Sequence, residues 1–174
     1  MGGVVMAVSS KEYLIGFDAE KCTQCHGCEI ACKTWRELEY GVQYRRVLNI
    51  WQGIYPRVKN TSLSLSCLHC ADPACMTSCP EEAIFKGAKD GLVLVDERLC
   101  NGCGICAEAC PFGVPQFGRN GLMQKCDLCF DQSLPRSTPL CVDTCPGQAL
   151  TMIEISQKEK IAHEEEIARL LESG

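Results

Sequence analysis

The sequence predicts an α+β fold, made from an internal repeat and closed by a C-terminal helix. Three observations carry that expectation. All 16 cysteines of the 174 residues fall into four groups of four. Two of those groups repeat one spacing at a constant distance along the sequence, the mark of duplicated structural units. The last stretch opens with a helix-start signal and continues with apolar residues at helical intervals.

The groups are Cys22, Cys25, Cys28 and Cys32; Cys67, Cys70, Cys75 and Cys79; Cys100, Cys103, Cys106 and Cys110; and Cys126, Cys129, Cys141 and Cys145. Groups one and three read C-x2-C-x2-C-x3-C at an offset of 78, which extends back to Asp18 and Asp96. Groups two and four read C-x2-C followed by C-x3-C-P. Their leading pairs lie 59 residues apart and their trailing pairs 66, so group four is group two with seven residues inserted. Three groups end in Cys-Pro, at Pro80, Pro111 and Pro146, where the ring fixes φ and turns the chain away. Group one ends in Cys32-Lys33 instead.

Tyr13 to Phe17 reads as a strand entering group one, and Leu63 to Leu65 as a strand entering group two. Ala83 to Phe85 and Leu92 to Val95 read as a hairpin around Asp90-Gly91, which gives groups two and three one compact module. Residues 33 to 66 are the longest cysteine-free insert between groups, with Trp35, Arg45, Arg46, Trp51, Tyr55 and the breaker Pro56. The insert is expected on the surface, facing a partner. The tail begins with the capping box Ser156 and Glu159. It carries Ile161, Ile167, Ala168, Leu170 and Leu171 with a Glu165/Arg169 pair, and is expected to pack as an amphipathic helix on its own protein.

Only 6% of residues are aromatic, so few large side chains are available for a core. Disulfides and metal centres are the two standard substitutes. The formal charge is −5, from 17 basic and 22 acidic side chains without long blocks, which argues against nucleic acid as a partner. No run approaches the roughly 18 apolar residues that cross a bilayer. Met1 to Ser10 lack a signal-peptide pattern, so a soluble protein with no direct membrane insertion and with reduced thiols is expected.

Reduced thiols favour metal. A 4Fe-4S cubane needs one thiolate on each of four irons. Cysteines at i, i+3 and i+6 wrap one side, and in two-cluster ferredoxins the last cysteine of each run ligates the other cluster. Gly27, Gly102 and Gly104 are expected to take positive φ and turn N–H groups toward sulfur. Zinc competes, but structural zinc takes two C-x2-4-C pairs and has no use for a third cysteine three residues on. Disulfides fail because neighbours three residues apart cannot all find partners, and no cysteine remains for a catalytic thiol. His26 and His69 lie inside the motifs and are expected to be exposed or packed, touching ligands at most. Lys33, Lys125 and Arg119 read either as charges that raise cluster potentials or as solvated surface charge. Four clusters on sixteen thiolates take the protein from −5 to roughly −13, which calls for a partner with a basic docking face.

These residues resemble the four-cluster iron-sulfur (beta) subunit of the dimethyl sulfoxide reductase type. The matching segments are Cys22 to Cys32; Tyr44-Arg45-Arg46-Val47; Leu63 to Cys75; Cys100 to Pro111 with Gly113, Pro115 and Gln116; Lys125 to Cys129; and Cys141 to Pro146. The resemblance covers roughly residues 12 to 152. It implies two ferredoxin-like lobes, each holding two 4Fe-4S clusters. One lobe spans 12–35 with 112–155, the other 62–111, leaving 36–61 as an insert and 156–174 as the helix. It further implies that Cys22, Cys25 and Cys28 share a cluster with Cys145, and Cys126, Cys129 and Cys141 with Cys32. Cys67, Cys70 and Cys75 would share one with Cys110, and Cys100, Cys103 and Cys106 with Cys79. Some relatives replace the residue matching Cys103 and hold a three-iron cluster; with Cys103 present, four cubanes are expected.

The resemblance implies a non-catalytic subunit of anaerobic metabolism with no catalytic residues of its own. Its implied partners are a molybdenum- or tungsten-pterin catalytic subunit and a second redox subunit, either membrane quinone-reactive or a soluble flavin or ferredoxin partner. The sequence lacks the C-terminal anchor of longer relatives, which leaves room for soluble tungsten-dependent complexes. A cytoplasmic location is expected, with co-export beside a signal-bearing catalytic partner as the alternative. A free polyferredoxin and a zinc-stabilised interaction module remain the other readings. An autonomous enzyme fits least, since no nucleophile, base pair or open metal position stands out.

Overall fold

The computed structural model describes residues 12–88, 90–130 and 138–172, so the opening segment and the last two residues lie outside it. Within these residues eight strands pair into four separate two-stranded antiparallel sheets, accompanied by five helices. Strand β1 (Glu12–Phe17) pairs with β8 (Leu150–Ile155), and beside them α1 (Gly27–Trp35) packs on α4 (Leu140–Asp143). Strand β4 (Ile84–Lys86) pairs with β5 (Val93–Val95), and there α2 (Ala74–Thr77) packs on α3 (Ile105–Ala109).

The cysteine offsets extend to the backbone. In one sheet Phe17 stands opposite Leu150, and in the other Val95 stands opposite Ile84. The 78-residue offset carries Phe17 onto Val95, and the 66-residue offset carries Ile84 onto Leu150. The same offsets lay α3 on the first five residues of α1, and α2 on α4. The architecture is therefore a repeated α+β unit whose strand register is shared by both copies.

Proline sets the helix lengths. A residue before proline is pushed out of the helical region, so α2, α3 and α4 stop at four, five and four residues, ahead of Cys79, Cys110 and Cys145. Lys33 follows Cys32, and α1 runs on to nine residues. The Lys33 ammonium then donates to the carbonyls of Glu39 (2.8 Å) and Val42 (3.0 Å), fastening the loop that leaves the helix.

The insert forms a long hairpin of β2 (Arg45–Ile54) and β3 (Arg57–Ser66). The expected surface position holds for its outer half only, where Trp51, Ile54 and Tyr55 are 62%, 85% and 89% exposed and the Tyr55-Pro56 peptide is cis. The inner half is buried on both faces because β3 alternates Leu with Ser. Leu63 and Leu65 pack with Ile50, Leu68, Phe112, Val114 and Ile167, each leucine contributing about 1.5–3 kcal/mol of apolar burial. Ser62, Ser64 and Ser66 are buried as well and, by strand alternation, face the other way, where Ser64 reaches Cys28 of group one.

Helix α5 (Gln157–Glu172) opens with the capping box: Glu159 Oε2 accepts from the Ser156 backbone N–H (2.9 Å) and hydroxyl (2.7 Å). Ile167 is buried, and Ala168, Leu170 and Leu171 pack against the leucine face of β3, so the tail docks on its own protein. Ile161 lies off that face, 45% exposed. The Glu165/Arg169 side-chain pair is corrected: Arg169 Nε donates to the Glu165 backbone carbonyl at 3.2 Å. The anchor is Lys160, fully buried, whose ammonium lies 2.8 Å from Glu12 Oε2, while Lys86 lies 3.0 Å from Glu12 Oε1. One carboxylate thus joins the tail, β1 and β4. No described helix is long and apolar enough to cross a membrane.

Candidate metal-cluster sites

Three small cavities are each lined by four cysteines. Cys22, Cys25, Cys28 and Cys145 line one of about 320 Å3, part of it open to solvent. Cys79, Cys100, Cys103 and Cys106 line a second of about 320 Å3, and Cys67, Cys70, Cys75 and Cys110 a third of about 310 Å3. The near-equal volumes and the otherwise largely apolar linings make these one kind of site built three times. The remaining thiols also meet: Cys32 feels the charges of Cys141 and Cys129, and Cys126 that of Cys141.

The loops between the cysteines share one conformation. Gln24 and His26 in group one take φ of 55° and 58°, and their counterparts at the 78-residue offset, Gly102 and Gly104, take 73° and 83°. His69 and Leu128, matched at the 59-residue offset, take 49° and 57°. The left-handed region costs a non-glycine residue about 1–2 kcal/mol, so repeated occupation by Gln, His and Leu shows the loop path overriding local preference. Gly27 is corrected: it begins α1, and Gln24 and His26 supply the positive φ instead. At Gly102 an added Cβ would lie 2.3 Å from the Gly121 carbonyl oxygen, so that loop packs too tightly for a side chain.

Segments around the loops bring hydrogen-bonding groups to sulfur. The N–H of Ala149 lies 3.3 Å from Cys145 Sγ, that of Met123 3.5 Å from Cys100 Sγ, and the Ser64 hydroxyl 3.6 Å from Cys28 Sγ. The Gly27 N–H, with help from Thr23, holds the Cys25 thiol below its ordinary range. Burial does the opposite elsewhere, pushing Cys32 and Cys126 up to about 12, Cys75 up to about 11, and Cys70 up as well. As free thiols these are protonated at neutral pH, and a metal must displace their protons. Cys25 and Cys103 are exposed, and the other fourteen are buried or half-buried.

Two buried cations accompany the thiols. Arg45 is 3% exposed and donates to the Ser64 carbonyl (3.2 Å), the Ser64 hydroxyl (3.0 Å) and the Ser66 hydroxyl (2.8 Å). Burial opposes its charge, and Cys141, Cys126 and Cys28 offset that penalty once they are deprotonated. Lys125 is 6% exposed, lines the Cys67 cavity and donates to the carbonyls of Val93 and Cys126, which overturns its reading as solvated charge. Arg119 is exposed and pairs with Glu39 at 3.2 Å. His26 Nδ1 contacts Glu29 Oε2 at 2.9 Å. His69 is fully buried, its Nδ1 accepting from the Val93 N–H at 3.0 Å, which places its proton on Nε2; burial first, then Lys125, keeps the ring neutral. The burial of Arg45 is visible in the sequence only as an arginine in phase with Val47 on a strand.

The arrangement suits iron-sulfur clusters. Among the described residues no three His, Cys, Asp or Glu side chains are arranged to hold a single metal ion. The thiols ring a space instead, with N–H donors aimed at sulfur, as a compact anionic group with a metal at each corner requires. The profile of the 4Fe-4S dicluster domain matches residues 58–155, and that of a 4Fe-4S binding domain matches residues 19–35. The protein is 39% identical over 157 residues to the B subunit of anaerobic dimethyl sulfoxide reductase from Haemophilus influenzae, covering 84% of its own length and 76% of that relative. It is 40% identical over 158 residues to the corresponding Escherichia coli subunit, covering 86% and 77%. An uncharacterized ferredoxin of Methanocaldococcus jannaschii is 34% identical over 140 residues, covering 80% and 79%. With cysteine-lined cavities, shared loop geometry and these likenesses together, the protein is a member of the 4Fe-4S dicluster family that includes the B subunits of anaerobic dimethyl sulfoxide reductase.

Proposed function

We propose that this protein is the non-catalytic electron-transfer subunit of a molybdenum- or tungsten-pterin oxidoreductase, holding four 4Fe-4S clusters between the catalytic subunit and a second redox partner. The observation that carries this reading is the set of three equal cavities, each with four cysteines drawn from two sequence groups. The similarity to two proteins named as subunits of anaerobic dimethyl sulfoxide reductase supports the pterin-enzyme partner. The ligand sets are Cys22, Cys25, Cys28 with Cys145; Cys126, Cys129, Cys141 with Cys32; Cys67, Cys70, Cys75 with Cys110; and Cys100, Cys103, Cys106 with Cys79. When bound, each cluster supplies a one-electron redox centre.

The protein's own residues set the order. Cys28 feels the charge of Cys141, Cys126 that of Cys67, and Cys75 that of Cys106. Those pairs line the four sets up from the Cys22 set, through the Cys32 set and the Cys67 set, to the Cys79 set. The exposed thiols Cys25 and Cys103 then fall at the two ends, where partners approach. Gln24, beside Cys25, holds the inner half of the hairpin through a 2.7 Å bond to Ser62, and the outer half of the same hairpin exposes Trp51, Ile54 and Tyr55. We assign it to the catalytic subunit's contact. The lobes follow the boundaries 12–35 with 112–155, and 62–111. Sixteen thiols awaiting metal suit the reducing cytoplasm, and cell fractionation separates that location from co-export.

Anaerobic capture of the native complex through this subunit, with iron, zinc, molybdenum and tungsten counted per copy, tests the reading. About sixteen irons on this subunit with molybdenum or tungsten near one are expected. Iron without either pterin metal favours the second reading, a free polyferredoxin, to which the Methanocaldococcus likeness lends its support. Zinc in place of iron overturns both.

A further inference from the structure

We propose that Arg45 is a counter-charge shared by two clusters, a positioning residue that raises the reduction potential of the Cys22–Cys25–Cys28–Cys145 site and of the Cys32–Cys126–Cys129–Cys141 site together. The proposal rests on the four-cluster reading above.

A guanidinium that is 3% exposed needs negative charge nearby, because a buried charge without a partner is too costly to keep. Among the described residues no carboxylate lies within ion-pair distance of Arg45. The hydroxyls of Ser64 and Ser66 and one carbonyl take its N–H groups, but all three are neutral acceptors. Glu29 lines the same cavity as Arg45, yet its two oxygens are engaged by the Val47 N–H and by His26. The charges that act most strongly on Arg45 are those of the sulfurs. Cys28, Cys126 and Cys141 pack in one buried cluster with Val47, two residues along the strand on the same face as Arg45, and charge on these sulfurs and on Cys32 acts on the guanidinium. Cys28 belongs to one proposed site, the other three to its neighbour, and the Ser64 hydroxyl bridges guanidinium (3.0 Å) and Cys28 Sγ (3.6 Å).

The rest of the hairpin explains how the charge is held. Arg45 stands directly opposite Ser66 in the β2–β3 register, and Val47 opposite Ser64, so the serine face of β3 forms a fixed socket. The leucine face of the same strand is locked into the core. A planar, always-charged guanidinium held by three bonds neither titrates nor swings away. Each one-electron reduction adds a negative charge beside it, and a fixed positive charge favours that state at both sites. Arg46 is the built-in contrast, since its Nη2 donates to the carbonyls of Phe112 (3.1 Å) and Gly113 (3.0 Å).

The test is an EPR-monitored redox titration of the iron-loaded protein in its native complex, with signals assigned by which of them Cys145→Ser and Cys129→Ser abolish. Arg45→Gln is expected to keep its iron and to lower both assigned potentials by at least about tenfold in the reduction equilibrium, some 59 mV for a one-electron couple. The other two potentials stay in place, Arg45→Lys recovers most of the shift, and Arg46→Gln moves neither. A shift at one site only, at all four, or at none overturns the shared counter-charge. Should Arg45→Gln lose iron, Ser66→Ala decides instead: it loosens the guanidinium while keeping its charge, and must move the same two potentials and no others. A wild-type protein with fewer than four clusters fails the underlying reading; four clusters with unmoved potentials fail only this inference.

Discussion

In the lobe built on β1 and β8 the buried cation is Arg45, delivered by the inserted hairpin. In the lobe built on β4 and β5 it is Lys125, delivered by the backbone on its way into group four. The two lobes share strand register, helix placement and loop dihedrals, because four thiols can ring a cluster only if the backbone takes that path. Their cations share neither residue type, sequence position nor reach. Arg45 acts on thiols of two proposed sites, whereas Lys125 lines one cavity. Duplication thus conserves what the cofactor's shape demands, and the unduplicated segments tune its electrostatics.

The largest expected effect breaks one lobe and spares the other. Cys145→Ser should cost the Cys22 site its cluster, about four of sixteen irons, with the signals of the β4–β5 lobe intact. Loss of signal from groups two and three would refute the pairing. Next comes the joint between lobes. Glu12→Gln leaves the buried Lys160 and the half-buried Lys86 without their shared carboxylate and should destabilise the loaded protein by about 3–5 kcal/mol in anaerobic denaturation. Burial alone would raise the Glu12 pKa, and the hydrogen bonds from Lys160 and Lys86 outweigh it, so the carboxyl sits below its ordinary 4.5. Its contribution is therefore complete above that pH and fades as pH falls through the lowered folded value. An unchanged acid midpoint in Glu12→Gln would contradict this.

Lys33→Pro makes group one match the other three groups. It should end α1 early and cost about 3 kcal/mol, since the ring removes a helical hydrogen bond and the Lys33 contacts to Glu39 and Val42 go with it. A variant as stable as the parent would show that the long helix has no structural role. Lys125→Gln sharpens the contrast between cations: one potential, that of the Cys67 site, is expected to fall by about tenfold, near 59 mV. Equal movement at both sites of that lobe would make Lys125 the counterpart of Arg45 rather than its contrast.

The repeat was legible in the sequence because cysteine spacing records backbone path, and the offsets of 78 and 66 carry over to strand register residue for residue. The capping box at Ser156 was legible for the same local reason. What escaped lies in long-range pairing. Lys160 and Glu12 are 148 residues apart, and nothing near either one announces the other. The insert read as surface because it is the longest cysteine-free stretch and carries the breaker Pro56, yet the alternating Ser62, Ser64 and Ser66 are buried, facing Gln24, Cys28 and Arg45 rather than water. A pattern of alternation identifies two faces and leaves open what lies against each.

The central claim is a subunit that takes up electrons at four separate one-electron sites. Coulometric titration of the anaerobically isolated complex, with the partner's own centres subtracted, measures this directly. About four electrons per copy of this subunit, with four resolvable potentials, is the predicted result. Uptake of two electrons or fewer, in a protein whose sixteen cysteines are intact, would contradict it.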